Sequence, residues 1–192
     1  MPTSSASGIA TQSIMKIAIT DIETTGLSFR KHEIIQIGLV VADLDTMEIL
    51  DTLEAKVKPQ RPEAADPRAL EVNGYTEAEW EDAMTPRQAM SMYVEKARGA
   101  TFLAHNNIFD YGFLDQMAQD TEIPLPFTRH RLDLLTLAWG ELRGITDKLS
   151  LKALCGILGL PEEPQRHTAL EGAMAAYRVF GALMELKDRN RK

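Results

Sequence analysis

Two acidic residues, Asp21 and Glu23, stand one residue apart at the end of an apolar, β-branched run, "IMKIAITDIETTGL". Alternate side chains of an extended chain share a face, so both carboxylates point the same way. Such a pair can reach one hard cation or two, and Mg²⁺ and Mn²⁺ prefer oxygen ligands. Thr24, Thr25 and Gly26 follow, small residues that let a ligand approach the backbone. A third carboxylate, Asp110, comes after the short apolar run "TFLAH", within "HNNIFD". Alone, it reads equally well as a helix-opening Asp favoured by the helix dipole. His105 and Asn106 beside it are polar supports for a ligand, or simply the end of the strand. His167, in "RHTALEGA", precedes a helix. Next to an acidic cluster its pKa would sit near neutrality, as a general base requires. The ordinary alternative is a solvated turn carrying two acids and a structural histidine.

The elements that must position these residues are legible from periodicity. Strands are expected over residues 14–21, 33–43 and 48–59, the last closed by Pro59, with links short enough for an antiparallel meander. Pro59, Pro62 and Pro67 predict a loop over 59–67. Thr76 with Glu79 forms a capping-box pattern, and Pro86 opens a helix. A short buried strand is expected over 100–105, helices over 109–120 and 150–160, a strand end plus helix over 131–142, and a last helix from Thr168 to about Leu186. A meander followed by alternating helices and strands predicts a mixed α/β fold with helices covering the sheet.

The 192 residues favour one domain, expected over 14–187, between a small-residue, polar and disordered tail at 1–13 and a basic end at 188–192. The single cysteine, Cys155, excludes an intrachain disulfide framework, fits a reducing cytoplasm, and is expected in the core. No secretory signal and no membrane-length apolar run is visible. A net charge of -7 argues against broad electrostatic binding along a duplex. It leaves room for an acidic site that grips a nucleic acid end through cations.

"DIETTGL", "HNNIFD" and "HTALEGA" resemble, in order and spacing, the three exonuclease motifs of the DEDDh family, which includes the proofreading subunit of bacterial DNA polymerase III and ribonuclease T. "EVNGYTEAEW", "RLDLLTLA" and "SLKALCGILGL" are also similar to the family, so the resemblance runs from about Met15 to Phe180. It implies a ribonuclease H-like α/β fold: a mixed sheet, antiparallel meander plus parallel strands, flanked by helices. It implies 3′-to-5′ hydrolysis of phosphodiester bonds at the 3′ end of single-stranded DNA or RNA, with two Mg²⁺ or Mn²⁺ ions about 3.5–4 Å apart. By motif position Asp21 would bridge both ions, Glu23 would help hold the ion that activates water, and Asp110 would serve the other. His167 would take the proton from the attacking water. Leu27 would wedge against the terminal bases, although it could equally be a turn residue tucked into the core. Phe29 could stack on a base. The resemblance leaves the substrate sugar open, and homodimeric and polymerase-attached forms as well.

The family's fourth carboxylate lies five residues after the histidine, where this chain has Gly172. Glu171 is adjacent, but consecutive helix positions point about 100° apart, and Thr168-x-x-Glu171 already forms a capping-box pattern. Asp21, Glu23 and Asp110 supply three negative charges against the four of two divalent cations, which predicts weak binding of the water-activating ion and slow hydrolysis. The competing expectations are a nucleic-acid-binding module that kept the fold and lost the chemistry, and an α/β domain whose acidic cluster is solvated surface.

Overall fold

The computed structural model describes residues 15–127, 130–161 and 168–190. The tail expected over 1–13 and the candidate base His167 lie outside the described residues. Five strands form one sheet in the order β3-β2-β1-β4-β5. Strands β1 (Lys16–Thr24), β2 (Ile34–Asp43) and β3 (Ile49–Lys56) make the antiparallel meander. Strands β4 (Ala100–Ala104) and β5 (Arg131–Asp133) add to it in parallel, β4 beside β1 and β5 at the edge. The mixed sheet expected from the sequence is therefore present. The first strand runs three residues further than its predicted end at Asp21, so both acids of the DxE pair are strand residues.

Strand β1 is buried on both faces, and its alternation sorts the core. Ala18 and Ile22 pack with α2 (Pro86–Lys96) and α3 (Asn107–Thr121) through Tyr93, Phe113 and Leu114. Ile17 and Ile19 pack with α4 (Leu134–Leu142), α5 (Leu151–Ile157) and α6 (Ala169–Asn190) through Leu142, Leu154 and Val179. Cys155 is fully buried in this second layer, as expected. Thr20, on the first face, shares a 2.8 Å hydrogen bond with the hydroxyl of Tyr93, which satisfies both buried groups.

Two expectations are corrected between Pro59 and Pro86. Pro67 does not end the loop but opens α1 (Pro67–Asn73), capped by Asp66, whose side chain accepts from the Arg68 N–H at 2.9 Å. Gly74 at φ 66° closes it, a left-handed position that suits glycine. The Thr76 and Glu79 pattern starts only a single 3-10 turn, Ala78–Trp80. The buried Trp80 donates its indole N–H to the Ile35 carbonyl at 2.9 Å, which pins this turn to the sheet.

Helix α6 lies unusually close to the sheet. A Cβ added at Gly38 on β2 would fall inside contact distance of the Ala169 backbone, which has no room to yield. Gly38→Ala should therefore cost at least about 1–3 kcal/mol in chemical denaturation. Gly140→Ala, in α4 with nothing within 4 Å of the added carbon, should instead gain up to about 1 kcal/mol. Equal effects of the two would show that α6 does not depend on this close approach.

Candidate active site

The acidic pair is aimed by strand β1 and covered by helix α6. Pairing sets Asp21 opposite Gly38 and Glu23 opposite Gln36, and directly opposed residues of an antiparallel pair project to the same face. Those two β2 residues receive α6. The Gln36 side-chain oxygen accepts the Ala169 N–H at 3.2 Å, and the Ala169 backbone rests on Gly38. The start of α6 is thus held over the carboxylates of β1. A Cβ at Gly172 would lie 2.8 Å from Asp21 Cγ and nearer still to its Oδ2. Position 172 therefore directly abuts Asp21, whose carboxylate fills the space a side chain would need. The contacting atoms are the end of a rotatable side chain, so a larger residue at 172 would require the Asp21 carboxylate to turn aside.

Asp110 arrives from the other layer. It sits in the first turn of α3 and is only 5% exposed. Its carboxylate accepts the backbone N–H of Ile22, the residue between Asp21 and Glu23. Burial pushes its pKa up to about 7, and repulsion from Glu23 and Asp133 adds to this, while the N–H groups of Asp110 and Ile22 hold it back. The DxE pair, Asp110 and position 172 are thus brought to one place, at the carboxyl ends of β1 and β4.

The loop after β1 is internally tied. Thr24 Oγ1 donates to the Gly26 carbonyl at 2.8 Å, and Thr25 Oγ1 accepts the Glu33 N–H at 2.9 Å. Asn73 on α1 donates to the Thr24 carbonyl at 2.8 Å. A Cβ at Gly26 would lie 2.6 Å from Nδ1 of His32, the nitrogen that accepts the Ser28 N–H at 3.0 Å. Thr24, Thr25 and Gly26 are buried and shape the loop, whereas Leu27 at its tip is 83% exposed and is not tucked into the core. Phe29 is 39% exposed, its ring edge-on to Phe113 at 6.2 Å and packed over Gly112. Asn106 is exposed. His105 is partly buried, which lowers its pKa against the pull of Asp133, and its Nδ1 has no hydrogen-bond partner among the described residues.

Glu171 is turned to the helix start. Its carboxylate accepts the Thr168 N–H at 2.8 Å while the Thr168 hydroxyl accepts the Glu171 N–H at 3.4 Å. The capping box read from the sequence is present, and Glu171 is engaged in it. One residue at this site escaped sequence reasoning. Asp133, at the end of β5, accepts the Asn107 N–H at 2.9 Å with one oxygen, and the Thr136 N–H and hydroxyl at 2.8 and 2.6 Å with the other. It caps α3 and α4 together, because Asn106 makes no side-chain cap of its own. The Asp133-x-x-Thr136 spacing was the available signal, but nothing local announces the second helix.

Among the described residues, no three His, Cys, Asp or Glu side chains are close enough to hold a metal ion as they stand. The donor chemistry nevertheless fits a hard divalent cation. Asp21, Glu23 and Asp110 offer oxygens, and a buried carboxyl with a raised pKa is a charge that a cation would compensate. The sign of the Asp110 shift sets a test. Its contribution to stability is full below the unfolded pKa, near 3.8, and is lost as pH rises through the folded value of about 7. Chelator-treated protein should lose at least about 2–4 °C in Tm between pH 5 and pH 8, the effect of ~1 kcal/mol in a chain this size. Asp110→Asn should flatten the dependence, and Mg²⁺ or Mn²⁺ at pH 8 should recover the loss. A flat profile in the chelator-treated parent chain would remove Asp110 as a strained acid.

Residues 18–180 match the model of the RNase_T family, described as Exonuclease. A PolC-type DNA polymerase III of Caldanaerobacter subterraneus is 31% identical over 88% of this chain and 12% of its own length. The DNA polymerase III subunit epsilon of Pasteurella multocida is 27% identical over 81% of this chain and 61% of its own. The chain thus spans only part of the relatives it matches. Among solved structures, the nuclease domain of 3′hExo, a DEDDh family member bound to rAMP, superposes with a TM-score of 0.74 at 22% identity, covering 93% of this chain and 95% of that one. That likeness fixes the fold as the ribonuclease H-like fold of the exonucleases. With the family model covering most of its length, the chain belongs to the RNase_T exonuclease family.

Proposed function

We propose that this chain removes nucleotides from the 3′ end of single-stranded nucleic acid, slowly, because one carboxylate of its family's site is replaced by Gly172. The observation that carries the reading is that Asp21 and Glu23 share the face of β1 over which α6 starts, while Asp110 reaches the Ile22 backbone between them from the other layer. Asp21, Glu23 and Asp110 would hold the divalent cations. Bound there, Mg²⁺ or Mn²⁺ would offset charge on the attacking and leaving oxygens of phosphoryl transfer. The chain's own part is positioning. Strand β1 presents two carboxylates on one face, and α3 brings the third to the Ile22 N–H. Leu27, held out by a tied loop, would press on the terminal base, and Asn106 and His105 would flank it. His167, by its motif position, would accept the proton of the attacking water. Glu171 is occupied by its capping box, which argues against it as a replacement ligand.

The alternative, a binding module that kept the fold without the chemistry, is favoured by one observation: Asp21 already fills the place of the missing side chain. Hydrolysis of an end-labelled single strand, as DNA and as RNA, in Mg²⁺ and in Mn²⁺ separates the two. This chain should cleave slowly from the 3′ end, and Gly172→Asp should raise the rate at least about tenfold, the scale at which even outer ligands act on metal sites. Equal rates would show that Gly172 is no defect. Binding without cleavage by both proteins, unchanged by His167→Ala, would select the binding module. The polymerase III relatives also support attachment to a polymerase, to be tested by co-purification with one.

A further inference from the structure

Beside the acidic centre, on the outer side of α3, lies an open groove of about 780 Å³ lined by Phe29, Ile108, Tyr111 and Arg131, with His130 at its rim. Its composition is unusual for surface on a chain of net charge -7. Ile108 is 78% exposed, and Phe29 presents a partly exposed ring. The Arg131 guanidinium stacks on the Tyr111 ring at 4.0 Å. Among the described residues it joins none of the ion pairs. Tyr111 is itself held edge-on to the buried Phe102 at 5.5 Å, so the cation rests on a platform fixed by the core. Stacking restrains the guanidinium plane and leaves its in-plane N–H donors available. The groove joins the loop after β1, through Phe29, to the first turns of α3, through Ile108 and Tyr111, the two elements that flank the acidic pair.

Apolar and aromatic faces beside a guanidinium stacked on Tyr111 match one ligand chemistry closely, that of a nucleotide. Bases stack on such faces without regard to sequence, and a phosphate takes the planar fork of an arginine. The acidic centre itself repels phosphate until cations arrive, so a fixed cation one step away has a clear electrostatic use. Resting on the exonuclease reading above, we infer that this groove binds the retained strand just upstream of the scissile phosphate, with a base against Phe29 and Ile108 and a phosphate on Arg131.

The test is length-dependent binding, which needs no turnover. Fluorescein-labelled oligothymidylates and oligouridylates of two, four and eight nucleotides are titrated by anisotropy in Ca²⁺, with thermal melting to confirm folding. Affinity should rise about tenfold or more from two to four nucleotides, the scale of one stacked base. Arg131→Ala should abolish that rise while leaving dinucleotide affinity unchanged. Arg131→Lys, which keeps the charge but loses the fork, should recover only part of it, and Ile108→Asp should behave like Arg131→Ala. Wild-type length dependence in Arg131→Ala would overturn the assignment, and so would an equal loss at every length. Absence of binding at any length, by this chain and by Gly172→Asp alike, would instead overturn the exonuclease reading beneath it.

Discussion

The contact between the first turn of α6 and the sheet is the constraint on which the rest of this molecule turns. Helix α6 approaches β2 so nearly that Gly38 can carry no side chain, and Gln36 reaches up to the Ala169 N–H. The same approach brings position 172 against Asp21. A backbone-to-backbone approach of this kind cannot relax by rotating a side chain, so the height of the helix above the strand is set by glycine. The start of α6 is therefore registered, through Gly38, to the strand that pairs with the acidic pair.

Asp133 does comparable work on the other flank. One carboxylate joins the starts of α3 and α4, and α3 carries Asp110 only three residues beyond the N–H it caps. The arrangement places a second negative charge near Asp110 and adds to the upward shift of its pKa. Ionising the buried Asp110 carboxyl is thus penalised in the ligand-free molecule. Such a state is what a protein can hold when ligand binding supplies the compensation.

Sequence periodicity revealed strands β1 to β4 and most helices because each has an apolar face of its own. It failed between Pro59 and Pro86, where Pro67 looked like a loop residue and was the first residue of a helix. It failed again at Thr76, where a buried tryptophan held the chain to a single turn. The DxE pair was legible because strand alternation is local. The capping role of Glu171 was legible for the same reason, since its partner is three residues away. The approach of Gly172 to Asp21 and the double cap by Asp133 were not. Each joins elements far apart in sequence, and no local pattern encodes a distance of that kind.

Leu27 shows what the tied loop after β1 accomplishes. An isolated leucine on a loose turn could fold back onto neighbouring apolar surface. Here two threonine hydroxyls, the Asn73 amide and the His32 ring fix the backbone beneath it, and the side chain stands in water. The free protein bears that hydration cost continuously, and the cost is relieved when a flat apolar surface covers the side chain. Little conformational entropy remains to be lost at that moment, because the loop is already ordered. The ordered loop thus holds an exposed apolar side chain ready to be covered at little further entropic cost.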